Sequence, residues 1–235
     1  MSKVNSHTST LFHFTKSQNS LFSILKQGIK FSFCKEKFAE DVVVGIPMIS
    51  FCDIPLMLCK EHQEKYGRYS IGFSKSAFPK LQGFTLGPVS YFNNQQEGMK
   101  QIVRTLVNKA DKSVGWFKAY DEMLEPGKKK INYDECEWRI LPNQQTAEAD
   151  YFWNIDEFEK WADKREDKFL GNDDYIVKFG VDDIRYIVVY QEENVKSTVD
   201  RLTRLQSIGG APLATDEKYQ LVSKVISFDH INRDF

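Results

Sequence analysis

The chain has 235 residues, enough for one large domain or two small ones, with a sizeable core. Its formal net charge of −1 argues against a nucleic-acid binder that is basic throughout. No apolar run is long enough to span a membrane, and the polar stretch Met1–Ser9 has no apolar signal-peptide centre. We therefore expect a cytosolic protein with no membrane contact, whose four cysteines are reduced.

The first predicted elements are a short strand and a helix. Leu11–Thr15 has the alternating pattern of a strand. A helix should follow, because Ser17 or Ser20 can cap its start and Gly28 stands where a helix-ending glycine belongs.

The next segments are predicted to alternate between strands and helix. Phe31–Glu40 is mixed and aromatic, and is interpreted as a loop around a ligand or partner. Ile46–Phe51 is predicted to be a strand, and Pro55–Tyr66 a helix with proline in its first turn. Arg68–Phe73 is a further strand, and Leu86–Phe92 is a strand interrupted by a Gly-Pro pair.

The second half of the chain predicts more helices. Glu97–Lys109 and Val114–Leu124 are expected to be helical, and Lys128–Lys130 is a basic turn. Glu192–Leu205 has the clearest helical spacing of apolar residues, and Tyr219–Phe228 is predicted to be a final strand. Residues 1–235 are therefore predicted to form a single α+β domain of mainly antiparallel strands surrounded by helices.

The stretch Tyr133–Leu141 carries the strongest indication of a site. If it is a strand, Glu135, Glu137 and Arg139 point to one face. One interpretation is a solvent-exposed outer face, on which the charges pair with a neighbouring strand. The other is a carboxylate fixed on a rigid strand for chemistry.

His13 is a second candidate. A lone histidine in a strand is commonly structural. Here its two neighbours are apolar and face the core, and Thr15 lies beside it on the polar face. The pair therefore provides polar groups at the start of a strand–helix unit.

A metal site is a third possibility. Cys59-x-x-His62, with Cys52 nearby, contains ligand types that zinc uses. The spacing lacks a second pair of ligands, so Cys52 is interpreted as a small apolar residue and a metal-dependent nuclease as the weakest hypothesis.

The predicted strand Leu11–Thr15 and the helical stretch Leu21–Gly28 resemble the opening of ADP-ribosyltransferase-fold proteins. The resemblance is to the DarT-like toxins in particular, which begin with a His-x-Thr strand and a Leu-x-x-Ile-Leu-x-x-Gly helix. From about residue 10 to the end, the chain is also similar to the bacterial abortive-infection family of the AbiGi type, described as an antitoxin of phage-defence systems. The segments that carry this similarity are Ile46–Leu56, Tyr66–Phe73, Pro88–Tyr91, Glu135–Arg139 and Lys224–Phe235.

The resemblance implies an ADP-ribosyltransferase-like fold of split antiparallel sheets, with NAD bound as a substrate in a cleft between strands. His13 would hold a ribose of NAD through a hydrogen bond, with Thr15 beside it. Ser50 would support the catalytic strand or the nicotinamide ribose, and Tyr91 would stack on nicotinamide.

The same resemblance implies the catalytic roles. Glu137 would bind the nicotinamide ribose hydroxyl and stabilise the cation that develops as nicotinamide leaves. Glu135 would orient the acceptor nucleophile. Arg68 or Arg139 would meet the pyrophosphate or pair with a glutamate.

Two functions follow from the resemblance. The first is an NAD-dependent ADP-ribosyltransferase toxin of a phage-defence system, with nucleic acid as the implied acceptor. The second is a non-catalytic antitoxin or sensor that binds a cognate protein, because an early cleft arginine of the DarT-like enzymes cannot be placed in this sequence.

Overall fold

The computed structural model describes residues 8–78, 84–125, 127–142, 151–164 and 175–234. The polar start of the chain, 1–7, lies outside these ranges. Helices and strands are mixed along the described chain, which confirms the predicted α+β class. Within these ranges, no helix has the length and apolar character needed to cross a membrane.

The described residues form seven α-helices and sixteen strands, with short 3-10 turns between some of them. The helices are α1 (Gln18–Gln27), α2 (Lys60–Tyr66), α3 (Glu97–Asn108), α4 (Ile155–Lys164), α5 (Glu193–Thr203), α6 (Thr215–Val222) and α7 (Phe228–Asp234). The strands are β1 (Thr10–Thr15), β2 (Ile29–Lys30), β3 (Ser32–Ala39), β4 (Val42–Cys52), β5 (Tyr69–Ser74), β6 (Phe84–Pro88), β7 (Ser90–Phe92), β8 (Phe117–Ala119), β9 (Asp121–Glu125), β10 (Lys128–Ile131), β11 (Glu137–Pro142), β12 (Ile176–Val177), β13 (Ile184–Val189), β14 (Ser207–Ile208), β15 (Ala211–Pro212) and β16 (Val225–Ser227).

The chain divides into two compact units. The first unit contains Met1–Lys30, Phe51–Lys80 and Asp174–Phe235, and the second unit contains Phe31–Ser50 and Leu81–Asp173. Each unit is therefore assembled from segments that are distant in sequence. The single domain expected from the sequence stays a prediction.

The first unit is built on strands in the order β16, β13, β5, β1. Both β1 and β13 run antiparallel to β5, and β16 runs parallel to β13. Helix α1 packs against β1 and β5 and buries Leu21 and Leu25 completely. The Ser17 hydroxyl accepts a hydrogen bond from the Ser20 amide at 3.1 Å, so Ser17 is the cap of this helix.

Gly67 lets helix α2 end directly against strand β1. Its φ is 134° and its ψ is 159°, a region of backbone conformation that only glycine adopts readily. A Cβ at this position would lie 2.2 Å from the Thr15 carbonyl oxygen. The junction therefore requires glycine for both conformation and space.

The second unit is organised around β4, which lies antiparallel to β3 and next to β11. Strand β11 pairs in turn with β6. Strands β7 and β8 form a parallel pair, and β9 and β10 form an antiparallel hairpin. The core of this unit consists of Phe38, Val42, Val44, Ile46, Met48, Phe92, Val103, Val114, Ala119, Leu141 and Tyr151.

Four predicted elements are wrong. Lys128–Lys130 is not a turn, because it belongs to strand β10 and pairs with β9. Phe31–Glu40 is not a loop, because most of it pairs with β4 as strand β3. Val114–Leu124 is not a helix, because part of it becomes β8 and finds a strand partner in β7. Tyr219–Phe228 is not one strand: helix α6 occupies its first part, and the Ala214 amide at the start of that helix donates to the Glu217 carboxylate at 2.8 Å.

Candidate functional site

The stretch that indicated a site from sequence forms a strand only in its second half. Asn132–Glu135 is a 3-10 turn, and Cys136 has a left-handed φ of 42°. The strand β11 therefore starts at Glu137, four residues later than predicted. Cys136 separates Glu135 from the strand. The carboxylate of Glu135 therefore approaches Glu137 from the turn.

Arg139 lies at the centre of the site and is completely buried, with 0% of its surface exposed. Its Nε donates to Glu137 Oε1 at 2.8 Å, and its Nη2 donates to Glu36 Oε1 at 2.7 Å and Glu137 Oε2 at 3.1 Å. Its Nη1 donates to the carbonyls of Gly115 at 2.8 Å and Phe117 at 3.3 Å. A guanidinium has five N–H groups, so all of them are used.

The acceptor sites of the Glu137 carboxylate are all filled as well. Its Oε1 accepts from Ser50 Oγ at 2.9 Å as well as from Arg139, and its Oε2 accepts from Lys118 Nζ at 2.6 Å as well as from Arg139. These four donors match the four lone-pair sites of a carboxylate. The Glu137 amide donates to the hydroxyl of Tyr91 at 2.9 Å, which fixes the backbone as well.

The charges alternate outward from this pair. Lys118 lies between Glu137 and Glu135, at 2.6 and 2.8 Å, and Lys130 contacts Glu135 at 2.8 Å. We call this row the charge ladder; its members are Glu36, Arg139, Glu137, Lys118, Glu135 and Lys130. Three carboxylates meet three cations, so the ladder is neutral as a whole.

Burial and charge act in opposite directions on the two carboxylates beside Arg139. Burial raises the pKa of Glu137, but Arg139 and Lys118 act more strongly together and lower it from 4.5 to about 2. Burial also raises the pKa of Glu36, and there the same two cations do not fully compensate, so its pKa stays above the ordinary value. The difference follows from direct contacts, because Glu137 bonds to both cations and Glu36 bonds to Arg139.

The stability that Glu137 contributes should depend on pH. Because its pKa is lower in the folded protein, the contribution is present above pH 4.5 and is lost as pH falls toward 2. Protonation of Glu36, whose pKa is raised, acts in the opposite direction. We expect the stability difference between the wild type and Glu137→Gln, measured by urea unfolding, to be constant near neutral pH and to shrink below pH 4.5.

Glu159→Gln is the matched control for this titration. Glu159 also pairs with a lysine, Lys35, at 2.8 Å, but at the surface. Its removal should leave the decrease of the free energy of unfolding at acid pH the same as in the wild type. If the stability of Glu137→Gln fell at acid pH as steeply as that of the wild type, this result would contradict the role assigned to Glu137.

The structure brings together five of the residues that sequence analysis selected. All of them belong to the second unit and are connected by hydrogen bonds or through Lys118: Ser50, Tyr91, Glu135, Glu137 and Arg139. The charged face is buried, so the interpretation of a solvent-exposed outer face is wrong. The roles of these residues toward NAD stay predictions.

Three other candidates belong to the first unit. His13 is half-buried on β1 with its ring 5.7 Å from that of Phe51, and Thr15 pairs with Tyr69 on β5. Arg68 places its guanidinium over the ring of Tyr190, 4.2 Å from the centroid. This stacking occupies one face of the side chain that was expected to meet a pyrophosphate or pair with a glutamate.

Sequence reasoning missed three members of the ladder, Glu36, Lys118 and Lys130; the last was assigned only to a basic turn. Lys35 and Lys37 alternate with Glu36 and Phe38, and this pattern of outward lysines was the available signal for a strand. Lys118 had no comparable signal, because its three-residue strand is defined only by its partner β7.

The suggested metal ligands do not assemble. In the ranges that the structure covers, no three histidine, cysteine or acidic side chains lie together as metal ligands would. Cys59 donates instead to the Pro55 carbonyl at 3.4 Å, which is a structural role.

Comparisons with known proteins identify the family. A family model described as "Putative abortive phage resistance protein AbiGi, antitoxin" matches residues 30–190. The "Abortive phage resistance protein AbiGi" of Lactococcus lactis subsp. cremoris is 25% identical over 226 residues, which cover 81% of this chain and 89% of that protein. No solved structure matches the chain. The family model spans more than half of the chain, and this chain therefore belongs to the AbiGi family of abortive phage resistance proteins.

Proposed function

We propose that the chain is the antitoxin of an abortive-infection system and that it neutralises a cognate toxin by binding it, without chemistry of its own. The description of the family as an antitoxin supports this proposal. The observation that carries it is the saturation of Glu137, whose four acceptor sites are all filled by side chains of the same unit.

A saturated and neutralised carboxylate is poorly suited to catalysis. A general base needs a free lone pair and a pKa near the working pH, whereas the pKa of Glu137 is about 2. A carboxylate that stabilises a developing cation needs an uncompensated negative charge, whereas Arg139 and Lys118 both contact Glu137. The ladder is better suited to holding strands β3, β8 and β11 in a fixed arrangement.

Glu137→Gln and Glu36→Gln test this proposal as a matched pair, because each removes one carboxylate from Arg139. If the chain acts by binding, both variants should protect host cells from the toxin encoded by the neighbouring gene as well as the wild type does. The measurement is the number of colonies after co-expression, with circular dichroism to confirm folding. Ser50→Ala, which removes a single donor to Glu137, provides a milder variant.

The pair also separates binding from catalysis. Loss of protection in Glu137→Gln alone, with Glu36→Gln active and both variants folded, would contradict a non-catalytic role. Failure of the wild type to protect would overturn the antitoxin proposal itself.

A second candidate is an NAD-dependent ADP-ribosyltransferase toxin with the transferase-like fold that the resemblance implies and nucleic acid as its acceptor. The hydrogen bond of 2.9 Å from Ser50 to Glu137 favours it, since that serine was expected to support the catalytic strand. A ribose hydroxyl would have to displace one of the donors to Glu137, and for that reason we rank this function second.

Calorimetric titration of NAD into the protein tests the second candidate. The antitoxin proposal predicts no binding heat in the wild type. Micromolar binding that is lost in both His13→Ala and Glu137→Gln, with both variants folded, would instead favour the transferase.

A further inference from the structure

The hairpin β9–β10 carries an exposed aromatic surface at its base. Tyr120 and Tyr133 expose 40% and 52% of their surface. The rings of Tyr120 and Tyr133 are stacked with centroids 5.6 Å apart, and Tyr91 meets Tyr133 edge-on at 5.3 Å. We call these three tyrosines the tyrosine face.

The tyrosine face is held rigidly. The amides of Asn132 and Tyr133 both donate to the Tyr120 carbonyl, at 2.8 and 3.3 Å, and Asn132 Nδ2 donates to the Ala119 carbonyl at 3.1 Å. The Tyr91 hydroxyl accepts from the Glu137 amide, which connects the face to the charge ladder. Rigid aromatic side chains lose little conformational entropy on binding and dominate the energy of many protein interfaces.

The charge around this face is negative. By sequence, residues 118–135 contain five carboxylates and four lysines, a formal charge of −1. Lys129 pairs with Asp121 at 2.7 Å, and Lys130 pairs with Glu122 and Glu135. Asp134, next to Tyr133, is exposed and has no ion pair with the residues that the structure describes.

This combination selects one class of partner. Phosphate groups of a nucleic acid would be repelled by the net charge, because binding there depends on available lysine or arginine. A second copy of the chain would meet the same negative charge on the equivalent face. Arginine or lysine side chains of another protein would gain both a tyrosine ring to stack on and a carboxylate to pair with.

We propose that the tyrosine face is the surface through which the chain binds its cognate toxin, and that the toxin presents basic side chains to Tyr133 and Asp134. This proposal rests on the antitoxin function proposed above. It adds the binding surface and the chemistry of the partner.

Three variants test the surface by biolayer interferometry against the purified product of the neighbouring gene. Tyr133→Ala and Asp134→Lys should each raise the Kd at least about tenfold, as expected for residues at the centre of an interface. Tyr219→Ala is the matched control, because Tyr219 is 67% exposed on helix α6 of the first unit, and it should leave the Kd unchanged. Higher salt should weaken wild-type binding, because the contacts are between exposed charges.

The outcomes separate this proposal from the one it rests on. Wild-type binding that Tyr133→Ala and Asp134→Lys leave intact would overturn the tyrosine face and leave the antitoxin function standing. No wild-type binding would overturn both. Oligothymidylate, used as a second probe, should not bind. If it did bind, and if Tyr133→Ala abolished that binding, the partner of this surface would be a nucleic acid. If Tyr133→Ala melts early, Asp134→Lys alone decides, since Asp134 is exposed on a turn.

Discussion

Replacing Arg139 by methionine should lower the free energy of unfolding by about 3–5 kcal/mol. The side chain is completely buried, and its loss leaves the carboxylates of Glu36 and Glu137 without their shared cation. The carbonyls of Gly115 and Phe117 lose a donor as well. Urea unfolding followed by tryptophan fluorescence measures the effect.

Arg104→Met is the matched control for this substitution. Arg104 belongs to the same unit and also pairs with a carboxylate, Asp41 at 2.9 Å, but the pair lies at the surface. Its removal should change stability little.

Combining Arg139→Met with Glu36→Gln and Glu137→Gln should restore part of the lost stability, because no buried charge is then left alone. A triple variant less stable than Arg139→Met would contradict this account.

Gly67→Ala should destabilise the protein by at least about 2 kcal/mol. Alanine is strained at a φ of 134°, and its Cβ would overlap the backbone of Thr15, with the carbonyl oxygen at 2.2 Å and the carbonyl carbon at 2.3 Å. Neither atom can move without shifting β1. Thermal unfolding followed by circular dichroism measures the change in melting temperature.

Gly98→Ala provides the opposite control. Gly98 lies in helix α3, and a Cβ there would have no atom within 4 Å among the residues described. Alanine favours a helix over glycine, so this variant should be equal to the wild type or slightly more stable. If both glycine variants behaved alike, the steric argument for Gly67 would fail.

Local patterns predicted the elements that local interactions define. The strand β1, the helix α1 with its Ser17 cap, and the helix α3 all lie close to their expected positions. Alternation along the predicted strand also selected Glu135, Glu137 and Arg139, which the structure brings together. The resemblance to a known fold selected Ser50, which bonds to Glu137 although the two are 87 positions apart.

Features that depend on distant partners could not be predicted in the same way. Residues 117–119 become a strand because β7 lies beside them, and no local preference records that pairing. Charged residues on an alternating strand normally indicate a solvent-exposed face, but here Glu36 and Glu137 are buried with Arg139. Burial of a charge depends on where its counter-charge lies, and that information is spread over the whole second unit.

The span of the charge ladder has a consequence for synthesis of the chain. The contact between Glu36 and Arg139 joins residues 103 positions apart. At the usual speed of translation, Glu36 leaves the ribosome about 5–20 s before its counter-charge. The pair β3–β4 can form early in that interval, but its buried carboxylate has no guanidinium until β11 emerges. The second unit is therefore expected to complete its fold only after that strand has been made.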